Sequence, residues 1–137
     1  MIDPADPESY GSPYALKQAQ DHLSALQVGA QIEWVRSDTI EYLEKTEEYF
    51  DIVIQCLWYF ESIKAIADTI RSIKKLKGSP RLLLAEFALE SKHPEEMHHI
   101  LAAFSQASLE VHKTGTDSNI RTLVTPHTLR QLAEVSG

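Results

Sequence analysis

Tyr49-Phe50-Asp51-Ile52-Val53-Ile54-Gln55-Cys56-Leu57-Trp58-Tyr59-Phe60 is the stretch on which the reading of the whole chain turns. Ile52 to Ile54 is an unbroken β-branched run with no polar alternation, the pattern of a strand buried on both faces, as in a parallel sheet. It is expected in the middle of that sheet. The run gives way through Gln55, Cys56 and Leu57 to Trp58-Tyr59-Phe60, and Glu61-Ser62 then opens a helical pattern. A strand that passes through a turn into a helix is half of a βαβ unit, and ligands of such sheets bind just beyond the strand's carboxyl end. Gln55 to Phe60 is therefore the first candidate site.

Working outward toward the carboxyl terminus, Ile63, Ile66, Ala67, Ile70 and Ile73 repeat at helical intervals up to Gly78, a C-cap glycine. Gly78-Ser79-Pro80 turns the chain into Arg81 to Leu89, a second apolar run, read as another buried parallel strand. Pro94 restarts a helix that predicts Met97, Ile100, Leu101, Phe104 and Ala107 on one inward stripe. Val111 to Ser118, with Gly115, is a loop; Asn119 to Val124 fits either strand or loop. Thr125-Pro126 caps a last helix through Leu129, Leu132 and Ala133.

Toward the amino terminus, Met1 to Pro13 holds three prolines and Gly11 and reads as a loop. Ser12 and Pro13 supply an N-cap and first-turn proline for a helix that buries Leu16, Ala19, Leu23 and Leu26 and ends at Gly29. Gln31 to Arg36 mixes β-formers with polar residues and predicts a short strand, and Thr39 to Lys45 a short helix with Ile40 and Leu43 inward. The alternation places the chain in the α/β class, with a small, mainly parallel sheet and right-handed crossovers. No repeat or compositional shift divides it, so residues 1–137 are read as one domain.

The 137 residues are 43% hydrophobic and 24% charged, and the formal net charge is −7. That balance argues against binding a phosphate backbone, so no nucleic-acid partner is expected. The one basic cluster, Arg71, Lys74, Lys75, Lys77 and Arg81, falls at the carboxyl end of a predicted helix, where cations complement the dipole. Cys56 is the only cysteine, which excludes an internal disulfide and a cysteine-based zinc cluster. No apolar run reaches membrane-spanning length and no leader is visible, so a reducing, cytoplasmic setting is expected.

At Asp3, Asp38 and Phe50 to Phe60 the pattern resembles the middle of a class I S-adenosylmethionine-dependent methyltransferase. The resemblance implies a partial Rossmann-like, three-layer fold that binds S-adenosylmethionine and methylates a small-molecule acceptor. Asp3, after Met1-Ile2, matches the acid that ends that family's second strand and binds the ribose. Asp38, after Trp34-Val35-Arg36-Ser37, matches the acid that receives the adenine amino group. Phe50-Asp51-Ile52-Val53-Ile54 matches the fourth strand, whose end faces the methionine moiety and the acceptor, and Leu82 to Phe87 the fifth. The Asp-Pro-rich opening and the Leu57-Trp58-Tyr59-Phe60 turn are similar to a group of bacterial and fungal members. The family's first strand with its glycine-rich loop, and its last two strands, have no counterpart: the five glycines form no Gly-x-Gly pair. Since that first strand normally lies between the second and fourth, the chain is expected to pair Gln31–Arg36 with Ile52–Ile54, to pair with another copy along an exposed sheet edge, or to be a piece of a longer protein. The last is the preferred expectation.

Each residue so implicated has a plainer reading. Asp3 is either a ribose ligand or a turn carboxylate, and Asp38 either a ligand or a helix N-cap. Gln55 and Cys56 either line the cofactor pocket or, for Cys56, simply pack. Of Trp58, Tyr59 and Phe60 at least one must be exposed or in a cleft, which makes Trp58 and Tyr59 candidates for a substrate pocket. Tyr10 with Gly11 could close over the cofactor. Glu86 is costly to bury unpaired, and either orients an acceptor at the carboxyl end of the sheet or pairs with a basic side chain. His93, Glu96 and His99 share a helical spacing but read as a solvated face. A non-enzymatic remnant acting in association is the rival reading. A nucleotide- or nicotinamide-binding enzyme ranks below it for want of the glycine loop.

Overall fold

A computed structural model describes residues 1–8, 15–54, 57–78, 81–115, 118 and 120–135 and resolves into two units, Met1–Thr46 and Glu47–Gly137. In the first unit Ile2 and Val35 form an isolated parallel bridge, in which Asp3 N–H donates to the Val35 carbonyl (3.0 Å) and Val35 N–H to that of Met1 (2.9 Å). The strand expected over Gln31–Arg36 is thereby reduced to one bridge. Its first residue belongs to a 3₁₀ turn, Gly29–Gln31, and the adjacent Trp34 and Val35 are both half-buried, so no face alternates cleanly. α1 (Leu16–Ser24) starts where the Gln18 side chain accepts the Ala15 N–H (3.0 Å). The cap expected at Ser12-Pro13 lies outside the described residues. No residue of α1 is fully buried, against the expectation of an inward face: Leu16 and Leu23 are half-buried, and Leu26 lies beyond the helix, exposed. Gly29 is buried against the backbone of Ser24, where a Cβ would collide with the carbonyl. α2 (Thr39–Lys45) is capped by Asp38, and Leu43 is its buried residue.

In the second unit β1 (Ile52–Ile54) and β2 (Leu82–Leu84) pair in parallel, Ile52 opposite Leu82 and Ile54 opposite Leu84. Among the described residues these two strands make up the sheet. α3 (Ile63–Lys74) links them into a βαβ unit. Ser62 Oγ accepts the Ala65 N–H at its start (3.1 Å), and Ile66, Ile70 and Ile73 are buried along one side, as their spacing predicts. Each such burial is worth about 1.5–3 kcal/mol. Gly78 has φ +86°, a conformation that costs glycine little and other residues more, but it does not cap α3 as expected: the helix closes at Lys75, three residues earlier, and Gly78 belongs to the turn beyond.

β2 departs from its expected burial. Leu82 and Leu84 are half-buried against the core, but Leu83 is 58% exposed and Phe87, beyond the strand, 64% exposed. The run is apolar throughout, so it carries no alternation from which a solvent face could be read; the strand is nonetheless covered on one side. The core itself gathers Leu57, Trp58, Ile66, Ile70, Ala103 and Val124.

α4 (Met97–Glu110), entered through a 3₁₀ turn at Pro94–Glu96, buries Ile100, Ala103 and Glu110. Met97, Leu101 and Phe104, expected inward, are 41%, 59% and 50% exposed. At 100° per residue the buried stripe is turned by roughly 90° from the expected one. Apolar residues nearly encircle this helix, so spacing leaves its inward face open, and the small Ala103 is what reaches the core. α5 (Pro126–Val135) begins with Thr125 Oγ1 accepting the Thr128 N–H (3.1 Å), and Leu129 and Leu132 lie against the core.

Candidate functional site

The first unit sets two acids at the same end of its parallel pair. Asp3 directly follows the bridged Ile2, and Asp38 comes three residues after the bridged Val35. One oxygen of Asp3 accepts the Ala5 N–H (2.9 Å), an Asx turn. One oxygen of Asp38 accepts both Ile40 N–H (2.9 Å) and Glu41 N–H (3.1 Å), an N-cap. Both plain readings therefore hold. Both also leave the second carboxylate oxygen without a partner among the described residues, able to accept from a hydroxyl or an amino group.

The second unit builds a different group beyond the carboxyl ends of β1 and β2. A 3₁₀ turn, Leu57–Tyr59, buries Leu57 and Trp58 and leaves Tyr59 49% exposed, so one of the three consecutive aromatics does face outward. Glu86, two residues past β2, turns back onto it. Its two oxygens accept Trp58 N–H (3.3 Å) and Phe87 N–H (2.9 Å). Neither partner is a basic side chain, so the ion pair weighed for Glu86 gives way to backbone donors. The Trp58 carbonyl accepts from Arg121 N–H (2.7 Å) and Thr122 N–H (3.0 Å), which ties the turn to the segment before α5. Phe87 and His99 complete the group: their ring centroids lie 5.2 Å apart, and those of Trp58 lie 6.1 Å from Phe87 and 6.3 Å from His99.

Of the residues singled out from sequence, the structure brings Trp58 and Glu86 into direct contact and sets Tyr59 beside them on the same turn. Tyr10, Gln55 and Cys56 lie outside the described residues. Phe87 and His99 were missed. His99 was grouped with its helical neighbours His93 and Glu96, and its ring contacts come from a different element, which no spacing along α4 reveals.

An open depression of about 650 Å³ lies next along the chain, over Ala88, Glu90, Ser91, Lys92, His93 and Glu96. It contains none of the predicted site residues. Ser91 Oγ there donates to the His93 carbonyl (2.6 Å), which organises the entry to α4. Among the described residues no three His, Cys, Asp or Glu side chains are placed to hold a metal ion, and no helix is long and apolar enough to cross a membrane.

Two proteins of Diaporthe leptostromiformis, methyltransferase phomM and methyltransferase phomM′, are each 30% identical to the chain over 138 aligned positions, which take in 86% of this chain and 35% of theirs. The chain thus spans about a third of the length of these curated relatives. No family model matches it. No solved structure matches it either. The similarity supports a methyltransferase relationship.

Proposed function

We propose that the chain is a methyltransferase-like region, on a partial Rossmann-like fold, that binds S-adenosylmethionine and serves methyl transfer to a small-molecule acceptor, as part of a longer enzyme. The observation that carries this is the 30% identity to two fungal methyltransferases over most of the chain. The two acids support it: each stands just past one partner of a parallel pair and keeps a carboxylate oxygen without a partner among the described residues. When bound, the cofactor supplies a methyl group already activated by its sulfonium centre. Asp3 and Asp38 would hold its ribose hydroxyls and its adenine amino group. Within the second unit, the backbone of the Trp58 turn is clamped by Glu86 and would give a small-molecule acceptor a fixed wall.

Calorimetric titration with S-adenosylhomocysteine tests this reading. Saturable binding is expected. Asp3→Asn and Asp38→Asn, which keep the turn and the cap but remove the charge, should each weaken it about tenfold or more, the worth of a charge-assisted hydrogen bond. No binding by a chain that still melts cooperatively would overturn it. The exposed stripe Met97, Leu101 and Phe104 on α4 favours the second reading, an association module without cofactor, and that outcome would advance it.

A further inference from the structure

Trp58 is 5% exposed, and its indole Nε1–H is buried with no hydrogen-bond partner among the described residues. An orphaned buried donor is rare in folded proteins and costs about 1–3 kcal/mol. The chain's other indole is not so placed, since Trp34 Nε1 donates to Ser24 Oγ at 3.0 Å. The orphan belongs to the same side chain that lies against Phe87 and His99, and whose backbone N–H is held by Glu86.

We propose that Trp58, Glu86, Phe87 and His99 form a binding site for a neutral aromatic hydroxyl compound. The inference rests on the methyl-transfer reading only in making this compound the acceptor; its binding does not depend on that reading. Three properties of the group select the ligand. The indole N–H needs an acceptor atom. Glu86 has both oxygens anchored by backbone donors but keeps further lone pairs, so it can accept one more donor and repels an anion. Phe87 and the exposed His99 offer flat ring surfaces, tilted 54° to each other, against which a third ring can lie. An alkylammonium ion would satisfy the carboxylate but leaves the indole unpaired, and a plain arene satisfies neither. A phenolic hydroxyl does both, its oxygen accepting from Nε1 while its proton points to Glu86. Admitting the ligand would require Phe87 and His99, the exposed rings that lie against Trp58, to change rotamer, a fast motion for exposed side chains.

The test is a ¹⁵N–¹H titration of the full chain with 2-naphthol, following the two indole signals, Trp58's being assigned with Trp34→Phe. The Trp58 signal should move downfield and saturate while that of Trp34 stays fixed. Glu86→Gln should weaken the effect about tenfold, as for one charge-assisted hydrogen bond. Phe87→Ala should weaken it severalfold, and with Phe87 64% exposed this variant still folds. 2-Methoxynaphthalene, which accepts but cannot donate, should bind more weakly than 2-naphthol, and 2-naphthoate should leave the signal unmoved. An unmoved Trp58 signal with 2-naphthol, or an equal response to 2-naphthylmethylammonium, overturns the proposal. If 2-naphthol binds while S-adenosylhomocysteine does not, the site stands and the methyl-transfer reading falls; the reverse result removes the site alone.

Discussion

Replacing Glu86 by alanine should loosen the Trp58 turn without removing any apolar side chain from the core. The carboxylate satisfies two backbone donors, Trp58 N–H at 3.3 Å and Phe87 N–H at 2.9 Å. Phe87 is 64% exposed, so water replaces its lost acceptor at small cost, about 0.5 kcal/mol. Trp58 is 5% exposed, and its amide would be left buried and unpaired, a loss of about 1–3 kcal/mol. The sum is about 1.5–3.5 kcal/mol, which lowers Tm by roughly 6–28 °C for a unit of this size. Glu86→Gln retains one acceptor oxygen but presents an amide donor to the second N–H, and should cost about 1 kcal/mol. Glu90→Ala, an exposed acid four residues on, should stay within about 0.5 kcal/mol of the parent. Thermal and urea melts followed by far-UV circular dichroism measure all three. If Glu86→Ala melts within about 2 °C of the parent, or Glu86→Gln is as damaging as Glu86→Ala, then the carboxylate is not what holds the turn.

The two sides of α4 should respond oppositely in urea melts. Ile100→Ala should cost about 2–4 kcal/mol and the exposed Leu101→Ala less than about 1, and the reverse order would restore the stripe expected from spacing. Gly78→Ala forces a Cβ into the positive-φ region and against the Tyr49 ring; with that ring exposed and able to swing away, a loss of about 1–2 kcal/mol is expected, and no loss would show the turn to be adaptable. Asp38→Ala removes the cap of α2 and should cost about 1 kcal/mol in a thermal melt, whereas Asp38→Asn should be nearly neutral. The Arg81 guanidinium, hydrogen-bonded to Asp51, holds that carboxyl below its ordinary value. The pair's contribution is therefore present above the ordinary carboxylate range and is lost as pH falls through the lowered folded-state value. Tm should fall less steeply with acidification in Asp51→Asn than in the parent, and parallel curves would show the pair to be idle.

Features fixed by short-range chemistry were legible in the sequence. The isoleucine spacing of α3, the Asp38 cap and the Thr125-Pro126 start of α5 all act within one turn of the backbone, so their residues announce them. The parallel alignment of Ile52–Ile54 with Leu82–Leu84 was legible too, because a helix of the right length stands between them. The facing of α4 and β2 was not. A helix apolar nearly all round and a strand of consecutive leucines contain no periodic contrast, and which side is covered depends on distant elements. The candidate site divides in the same way. Trp58 and Glu86 stood out because an aromatic triplet and an acid in an apolar run are locally anomalous. The bond between them spans 28 residues, and the His99 ring contacts join three elements, neither of which composition or spacing encodes.

The salt bridges before the two strands carry more than their small energies suggest. Ile-Val-Ile against Leu-Leu-Leu is nearly blind to its own alignment: shifted by a residue or two, it would present much the same oily surface and the same backbone bonds. The flanks are not blind. Asp51 meets Arg81 and Glu47 meets Lys77, and both pairs keep the separation of 30 positions at which Ile52 faces Leu82. A slipped pairing would break both together. The charged residues thus act as an index mark for a ladder too short and too uniform to number its own rungs, and salt, which would scarcely weaken the apolar contacts, should erase that mark first.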